Sequence, residues 1–395
     1  MRPDAGQRAE LEKRFRAGQQ CYNACLGEAL RRARLMRDSR LWQCAAKMPK
    51  GKERNDAFAE AREEYGLRGD RSLQPFVKKG EPGWASWLTK HIDSQVARKM
   101  AVRAYRAVND WLLGERGRPH FKGWFKFSNL EGGGVPNGQS IRFLDGRMVW
   151  SANRQKLIVP CEVDHNDPHT VYALRRPIKF SRILRRRHGD DWRYELQIVL
   201  EGEPLNPRRR GDQVVGIDPG IGTFGIVGDN WAHLVDVAAP LKQLAAEGRR
   251  LRRRAQRQLQ QNNPDCFTDD GQYIKGTKIE NRTNGWRKTQ QRIREAERRL
   301  TETRKTLHGC IINALVQVAA VIVVEANSYR AFQGNYGRAM RRSAPGEFVR
   351  RLKQRADELD VEVVEAQPHG LRPSQFCHGC GGVRKKPLCQ RVHEY

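Results

Sequence analysis

Long apolar runs are missing from this chain. No stretch approaches the roughly 18 consecutive apolar residues of a membrane span, and mean hydropathy is −0.78. The opening MRPDAGQRAELEKRF has no apolar segment of the kind a secretory leader needs. Patterned cysteine is scarce as well. Of nine cysteines, Cys21, Cys25, Cys44, Cys161, Cys266 and Cys310 are scattered, and the odd total argues against a disulfide framework. They read as reduced thiols of an intracellular protein, cytoplasmic or nucleoid-associated. Acid is the third shortage: 45 Asp plus Glu stand against 74 Lys plus Arg in 395 residues, a formal net charge of +29. A solvated basic face accounts for an excess of a few charges. One this large repels itself unless a polyanion neutralises it, which points to nucleic acid.

The length allows two or three domains. From 7 to 50, Leu11, Phe15, Cys21, Tyr22, Cys25, Leu26 and Leu30 fall at helical spacing, and Arg31, Arg32, Arg34, Arg37 and Arg40 fill the remaining face. A second basic helix is expected over 94–113, with Val96, Met100, Val102, Tyr105, Val108, Trp111 and Leu112 inward. Residues 1–113 are therefore expected to form a helical domain. The texture changes at GERGRPHFKGWFKFSN, and short strand-like segments follow at 140–143, 147–150, 156–160, 178–182 and 192–200. They predict a β-rich, barrel-like domain over 114–205. In its first segment Lys122 and Lys126 alternate with Phe121 and Trp124, a pattern suited to phosphate contact with base stacking; a core hairpin with solvated lysines fits equally.

Residues 206–373 carry the chemistry. GDQVVGIDPGIGTFG sends Val214, Val215 and Ile217 into one carboxylate, Asp218, at a Pro-Gly turn, and a second strand resumes at Thr223. Further on, VIVVEANSYR ends another apolar strand at Glu325. Two divalent ions about 4 Å apart, held by carboxylates on rigid strands, can activate water and stabilise the leaving oxygen of a phosphodiester. Mg²⁺ takes oxygen ligands and keeps its waters, so two or three acids suffice. Either acid alone could as well cap a helix or pair with an arginine; their matching strand contexts point to a metal-dependent nuclease. Between them lie two basic helical arms, 248–261 and 285–320, expected to be antiparallel. Arg249, Arg250, Arg252, Arg253, Arg254, Arg287, Lys288 and Arg292 make them candidate nucleic-acid-binding surfaces. After Glu325 a Gly/Asn-containing loop is expected, then a helix beginning EFVRRL and a strand, VEVVEAQ.

In the final segment, 374–395, Cys377 and Cys380 form a CxxC followed by glycine, half of a zinc ribbon. Cys389 and His393 could complete four ligands, although LCQRVHEY reads as a strand that need not face a metal.

Taken together, VGIDPGIGTFG, the R-Q-RI-EAERRL…TETRKTLH helix, VIVVEAN and RPSQFCHGCGG resemble the TnpB family of transposon-encoded RNA-guided nucleases, relatives of the type V CRISPR effectors. The resemblance runs from about residue 211 onward and is looser before it. It implies an α/β and β architecture: a helical recognition domain, a β-barrel wedge domain, and a RuvC-type, RNase H-like nuclease domain with an incomplete zinc ribbon. It implies Asp218 and Glu325 as catalytic Mg²⁺ ligands, Cys377 and Cys380 as a structural Zn²⁺ pair, and a noncoding guide RNA and target DNA as partners. The basic helices fall where the family holds the guide–target heteroduplex. Two departures accompany it. The family's second CxxC and third catalytic aspartate have no counterpart here, so a fragment or a form that binds without cutting is expected. The strand that usually precedes the first helix is absent or reduced to MRPDAGQ. A transposition factor with the same metal chemistry is the other alternative.

Overall fold

The computed structural model describes residues 1–78, 80–81, 87–133, 140–152, 155–188, 191–205, 210–367, 375–376 and 380–384, the side chains of Thr89 and Arg330 excepted. The chain divides once, into compact units Met1–Leu205 and Asn206–Tyr395. The expected boundary at 113/114 falls inside the first.

Helix α1 (Ala5–Asp38) starts in a capping box: Asp4 accepts from the Gln7 amide and Gln7 from the Asp4 amide. Ser39 ends it and caps α2 (Arg40–Lys47), which α3 (Lys52–Glu64) follows. Helix α4 (Ser94–Leu112) is capped by Asp93 and packs on α1 through Ala97, Ala101 and Ala104, small side chains that permit close approach. That alanine stripe, rather than Val102, faces inward.

The strands of this unit make two three-stranded antiparallel sheets. One joins β1 (Asn129–Glu131) to β5 (Ile178–His188) and β6 (Asp191–Leu200); the other joins β2 (Ile141–Leu144), β3 (Arg147–Ala152) and β4 (Gln155–Pro160). A short helix, α5 (Pro168–Leu174), lies between β4 and β5. Asp145 and Gly146, with φ of 49° and 71°, supply the left-handed pair of a tight hairpin between β2 and β3. Among the described residues the ladders do not close into the single barrel expected from the strand spacing. The helices instead pack against the sheets: Phe15, Tyr22, Phe127, Trp150 and Tyr194 belong to one core shared by α1, α4 and both sheets.

Arg14 and Arg185 are both about 1% exposed within that core. Arg14 donates to the carbonyls of Trp150 and Gln155 and pairs with Glu10. The Arg185 guanidinium lies 3.7 Å from the Trp124 ring, 4.2 Å from Trp192 and 4.7 Å from Phe15, and donates to the carbonyls of Phe127 and Trp124. Burial lowers the pKa of both, Arg185 to about 10.

The second unit is a five-stranded sheet in the order β11-β10-β7-β8-β9. Strands β7 (Gln213–Pro219), β8 (Thr223–Val227) and β9 (Ala232–Asp236) form an antiparallel meander, while β10 (Ala319–Glu325) runs parallel to β7 and β11 (Glu362–Ala366) parallel to β10. Strand β9 was not foreseen; it is an edge strand whose Leu234 is 82% exposed, so it lacks a buried stripe. Between β9 and β10 come α6 (Ala239–Asn262) and α7 (Asn284–Val318). The segment after Glu325, expected as a loop, is helix α8 (Tyr329–Ser343), kinked at Tyr336; its glycines lower helix propensity without preventing the helix. Helix α9 (Pro345–Asp357) follows. One face of the sheet is covered by α7 and α9 through Val215, Ile217, Phe224, Ile312, Val324 and Phe348.

Candidate active site

From β7 the chain first builds to one side through β8 and β9, then returns to the other side with β10 and β11. The β7/β10 boundary is thus where strand order reverses. In open α/β sheets, ligands bind at the carboxyl ends of the strands flanking such a point. Asp218 and Glu325 occupy those two ends.

Their facing follows from register. Ile217 pairs with Val324, both buried against the helices, so the next residue on each strand turns to the opposite face. Asp218 is paired across β8 with Gly225, where the missing side chain keeps the approach to the carboxylate open. The turn beyond it is tightly constrained: a Cβ on Gly220 would sit 2.6 Å from the Thr223 carbonyl oxygen. Asp218 is reached by solvent. Even so, the surrounding protein displaces enough water to raise its pKa, and the charge of Glu325 raises it further. Neither acid has an ion-pair partner among the described residues, in a chain of net charge +29. An uncompensated pair of carboxylates on rigid strand ends fits a hard divalent cation, which takes oxygen ligands and relieves like-charge repulsion.

Two further residues shape the site. Asn327 donates its amide to Glu325 Oε2 at 2.9 Å, leaving the other oxygen free. It lies two residues beyond the acid, in the VIVVEAN motif, and its proximity alone could have marked it. Tyr329, at the head of α8, has a buried hydroxyl with no hydrogen-bond partner among the described residues. Burial first, then the charges of Asp218, Glu325 and Glu365, push its pKa up to about 12, so the phenol keeps its proton. No sequence pattern points to this residue.

Other nearby acids are engaged elsewhere. Asp236 accepts from the Ala238 and Ala239 amides at the start of α6, which holds its pKa down. Glu365 is in register with Val324, on the helix-covered face, and pairs with Lys353 at 2.8 Å. Among the described residues no cluster of three or more His, Cys, Asp or Glu forms a metal site.

Helices α6 and α7 run antiparallel, as crossed ion pairs Glu247–Arg299 and Arg252–Glu297 show. Leu241, Gly248 and Ala255 of α6 are buried, spaced by seven, and meet a stripe that includes Thr289, Ile293 and Ala296 on α7. That narrow seam lets so polar a helix pack at all. Arg249, Arg250, Arg253, Arg254, Arg287, Lys288 and Arg292 are exposed, with no carboxylate partner among the described residues; Arg252 alone of the candidates is tied to Glu297.

In the first unit, Lys126 is exposed and Lys122 half-buried, on a segment whose Trp124 packs beneath Arg185. Of the proposed zinc ligands, Cys377 lies outside the described residues, as do Cys389 and His393. Cys380 is exposed; Gly382 directs its amide at the Cys380 sulfur at 3.4 Å, and Gly381 takes a φ of 69°. Phe376 and Val383 form an isolated antiparallel bridge.

No family model matches the chain, and no curated protein matches it. Among solved structures, the cryo-EM structure of a Cas12f1–sgRNA–target DNA complex aligns with a TM-score of 0.56 at 9% identity, covering 95% of this chain and 75% of that one. At that identity the likeness is one of fold. A cryo-EM CRISPR–Cas12f ternary complex overlaps 94% of this chain and 73% of its own at 11% identity, but its TM-score of 0.31 is below that of a shared fold.

Proposed function

We propose that the chain is an RNA-guided DNA endonuclease of the TnpB and Cas12f type, with a RuvC-type, RNase H-like nuclease core in its second unit. One observation carries this reading: Asp218 and Glu325 converge, without a cation partner, at the strand-order reversal of an otherwise strongly basic protein. The fold likeness to a protein solved with sgRNA and target DNA supports it.

Asp218 and Glu325 would hold Mg²⁺, which when bound supplies a nucleophile at neutral pH and offsets charge on the phosphodiester. Asn327 fixes the Glu325 carboxylate in one orientation, as residues behind metal ligands commonly do. Tyr329 offers a protonated hydroxyl beside the two acids. The exposed arginines of α6 and α7 supply a surface for a guide–target heteroduplex, which proteins recognise through its backbone. Cys377 and Cys380 are proposed as one half of a structural Zn²⁺ site; the amide directed at Cys380 is the arrangement a thiolate needs. A protein that bound guided DNA without cutting would keep the basic helices but have no use for an uncompensated acid pair.

The test begins with purification from cells and sequencing of the RNA that accompanies the protein. A discrete noncoding RNA ending in a variable segment is expected. Programmed with it, the protein should cut matching DNA in Mg²⁺, and Asp218→Ala should abolish cutting while retaining the RNA. Cleavage unchanged by Asp218→Ala would sink the proposal.

A further inference from the structure

Phe121 and Phe125 are both exposed aromatic rings of the first unit, at 60% and 62%, but their surroundings differ. Phe125 stacks on Trp192 at 6.3 Å and 17°, and the Arg187 guanidinium lies 4.4 Å over it. Phe121 has no ring or cation against it among the described residues. An exposed phenylalanine on a loose loop would mean little. This one is held. The Lys122 amide donates to Asn23 Oδ1 at 2.8 Å, and the Lys122 carbonyl accepts from Asn23 Nδ2 at 3.0 Å and Gln19 Nε2 at 2.6 Å. Gln19, Asn23 and Gly27 recur every four residues along one stripe of α1. The Phe121 ring edge runs along the last of them, 3.7 Å from where a Cβ on Gly27 would stand. The helix thus fixes the ring's edge and leaves much of its surface to solvent.

Beside it lies a group of cations centred on Lys122. Lys122 is half-buried with the charges of Arg103, Arg116 and Lys126 near it. Arg103 is turned to Asn129 and Arg116 pairs with Asp110, while Lys122 and Lys126 have no carboxylate partner among the described residues. Burial first, and then those three cations, lower the Lys122 pKa; no acid acts against them. An anion at this position would be met by Lys122 and Lys126, the two of these cations without a carboxylate partner among the described residues.

We infer that Phe121 and Lys122 form a docking site for one unpaired nucleotide of RNA, its base stacked on the Phe121 ring and its phosphate at Lys122. The assignment to RNA rests on the guide-RNA reading above and on where unpaired bases occur. Folded RNA displays them in loops and bulges, and proteins take them up on aromatic rings, whereas duplex DNA keeps its bases inside the stack. Base–aromatic stacking is insensitive to sequence, so this site would anchor an RNA of any guide sequence.

The test uses the full chain, stripped of nucleic acid and kept in EDTA, so that the acid pair plays no part. Affinity is read by fluorescence anisotropy with a labelled single-stranded RNA, the single-stranded DNA of the same sequence, and the duplex RNA. Phe121→Leu should weaken the single-stranded RNA about 5- to 150-fold, spare the duplex and leave the salt slope unchanged. Phe121→Trp, which keeps a stacking face, should restore binding. Lys122→Gln should lower the single-strand salt slope by about 0.7, the contribution of one phosphate. Equal losses on single strand and duplex, no loss at all, failure of Phe121→Trp to rescue, or tighter binding of the single-stranded DNA would each overturn the assignment. The readout involves no cleavage, so failure here leaves the nuclease proposal standing, and failure of the Asp218→Ala test leaves this one.

Discussion

Arg185 in the first unit and Asp218 in the second are both ionisable groups without an ion-pair partner among the described residues, and the chain treats them in opposite ways. Arg185 is sealed among three aromatic rings, with two carbonyls accepting from its guanidinium. Its charge is met by ring quadrupoles and backbone dipoles, which cannot leave, while Nη1 is buried without a hydrogen-bond partner among the described residues. Asp218 is left facing solvent beside a second acid, where only something from outside can satisfy it. The fold encloses one lone charge and leaves the other open to whatever approaches from solvent. The difference lies in access rather than in the degree of pKa perturbation.

The comparison would break most visibly at the acids. Asp218→Ala and Glu325→Gln should each lower Mg²⁺-dependent cleavage by about 10³-fold or more, the scale of losing an essential catalytic group, as measured by single-turnover cutting of a matched duplex. Stability should move the other way. An acid whose folded pKa lies above its unfolded value costs nothing below the unfolded pKa and destabilises the fold once pH exceeds the folded one. At neutral pH, Asp218→Asn should therefore raise the melting temperature of the metal-free protein. Mg²⁺ should stabilise the wild type and not this variant. A variant that melts lower than wild type would mean Asp218 has a structural partner after all.

At Arg185 the sign is reversed. Arg185→Ala should cost about 2–5 kcal/mol, from the cavity left among three rings and from two buried carbonyls left without a donor, read by urea denaturation of the whole chain. Arg185→Lys should recover little, since an ammonium cannot stack in a planar slot or reach two carbonyls at once.

Most of what positions the acids was legible in the residues themselves. Apolar, β-branched runs ending at Asp218 and Glu325 announce two strands, and the structure pairs those strands side by side. The face that each acid takes was not legible, because it depends on register between strands that are distant in sequence. The Ile217–Val324 pairing settles that. Alternation also failed at β9, whose edge position removes the buried stripe that makes strands readable, and at α8, where glycine and asparagine suggested a loop but contacts with α6 and α9 hold a helix. Strand spacing also does not say which strands share a ladder, and among the described residues those of the first unit divide between two sheets. Tyr329 was invisible for a different cause: its relevance comes from the approach of α8 to the sheet, and nothing about a tyrosine in a polar segment encodes that.

His308 offers an intermediate case, a titratable group that is enclosed and kept neutral. It is about 1% exposed, between Phe224 and Phe348, with Nε2 at 2.9 Å from the Ser343 carbonyl. Burial is the main reason its pKa falls to about 4. The unfolded chain protonates this imidazole near 6.5 and the folded chain does not, so the second unit should lose stability as pH falls from 6.5 towards 4. The loss should approach about 3 kcal/mol at the lower end, from about 1.4 kcal/mol per pKa unit. Denaturant melts at several pH values check this, and His308→Phe should flatten the profile across that window.

Smaller effects sharpen the distinction between exposed charges that are claimed and those that are not. Asn327→Ala should leave the fold intact but weaken Mg²⁺ affinity or cleavage about 10- to 100-fold, the usual cost of losing the partner behind a metal ligand; titration of cleavage against Mg²⁺ separates the two. On the helical pair, Arg252 and Arg253 are neighbours with different employment, the first tied to Glu297 and the second free in solvent. Exposed ion pairs contribute about 0–1 kcal/mol, so Arg252→Gln should loosen the α6–α7 contact slightly and change the salt dependence of RNA binding little. Arg253→Gln should do the reverse, leaving stability unchanged while reducing the slope of log affinity against log salt by up to about 0.9 where the ligand is a duplex. If both substitutions changed the slope equally, the Arg252–Glu297 pair would have to open when nucleic acid binds, and a charge that the fold claims in isolation would be one that it surrenders to its ligand.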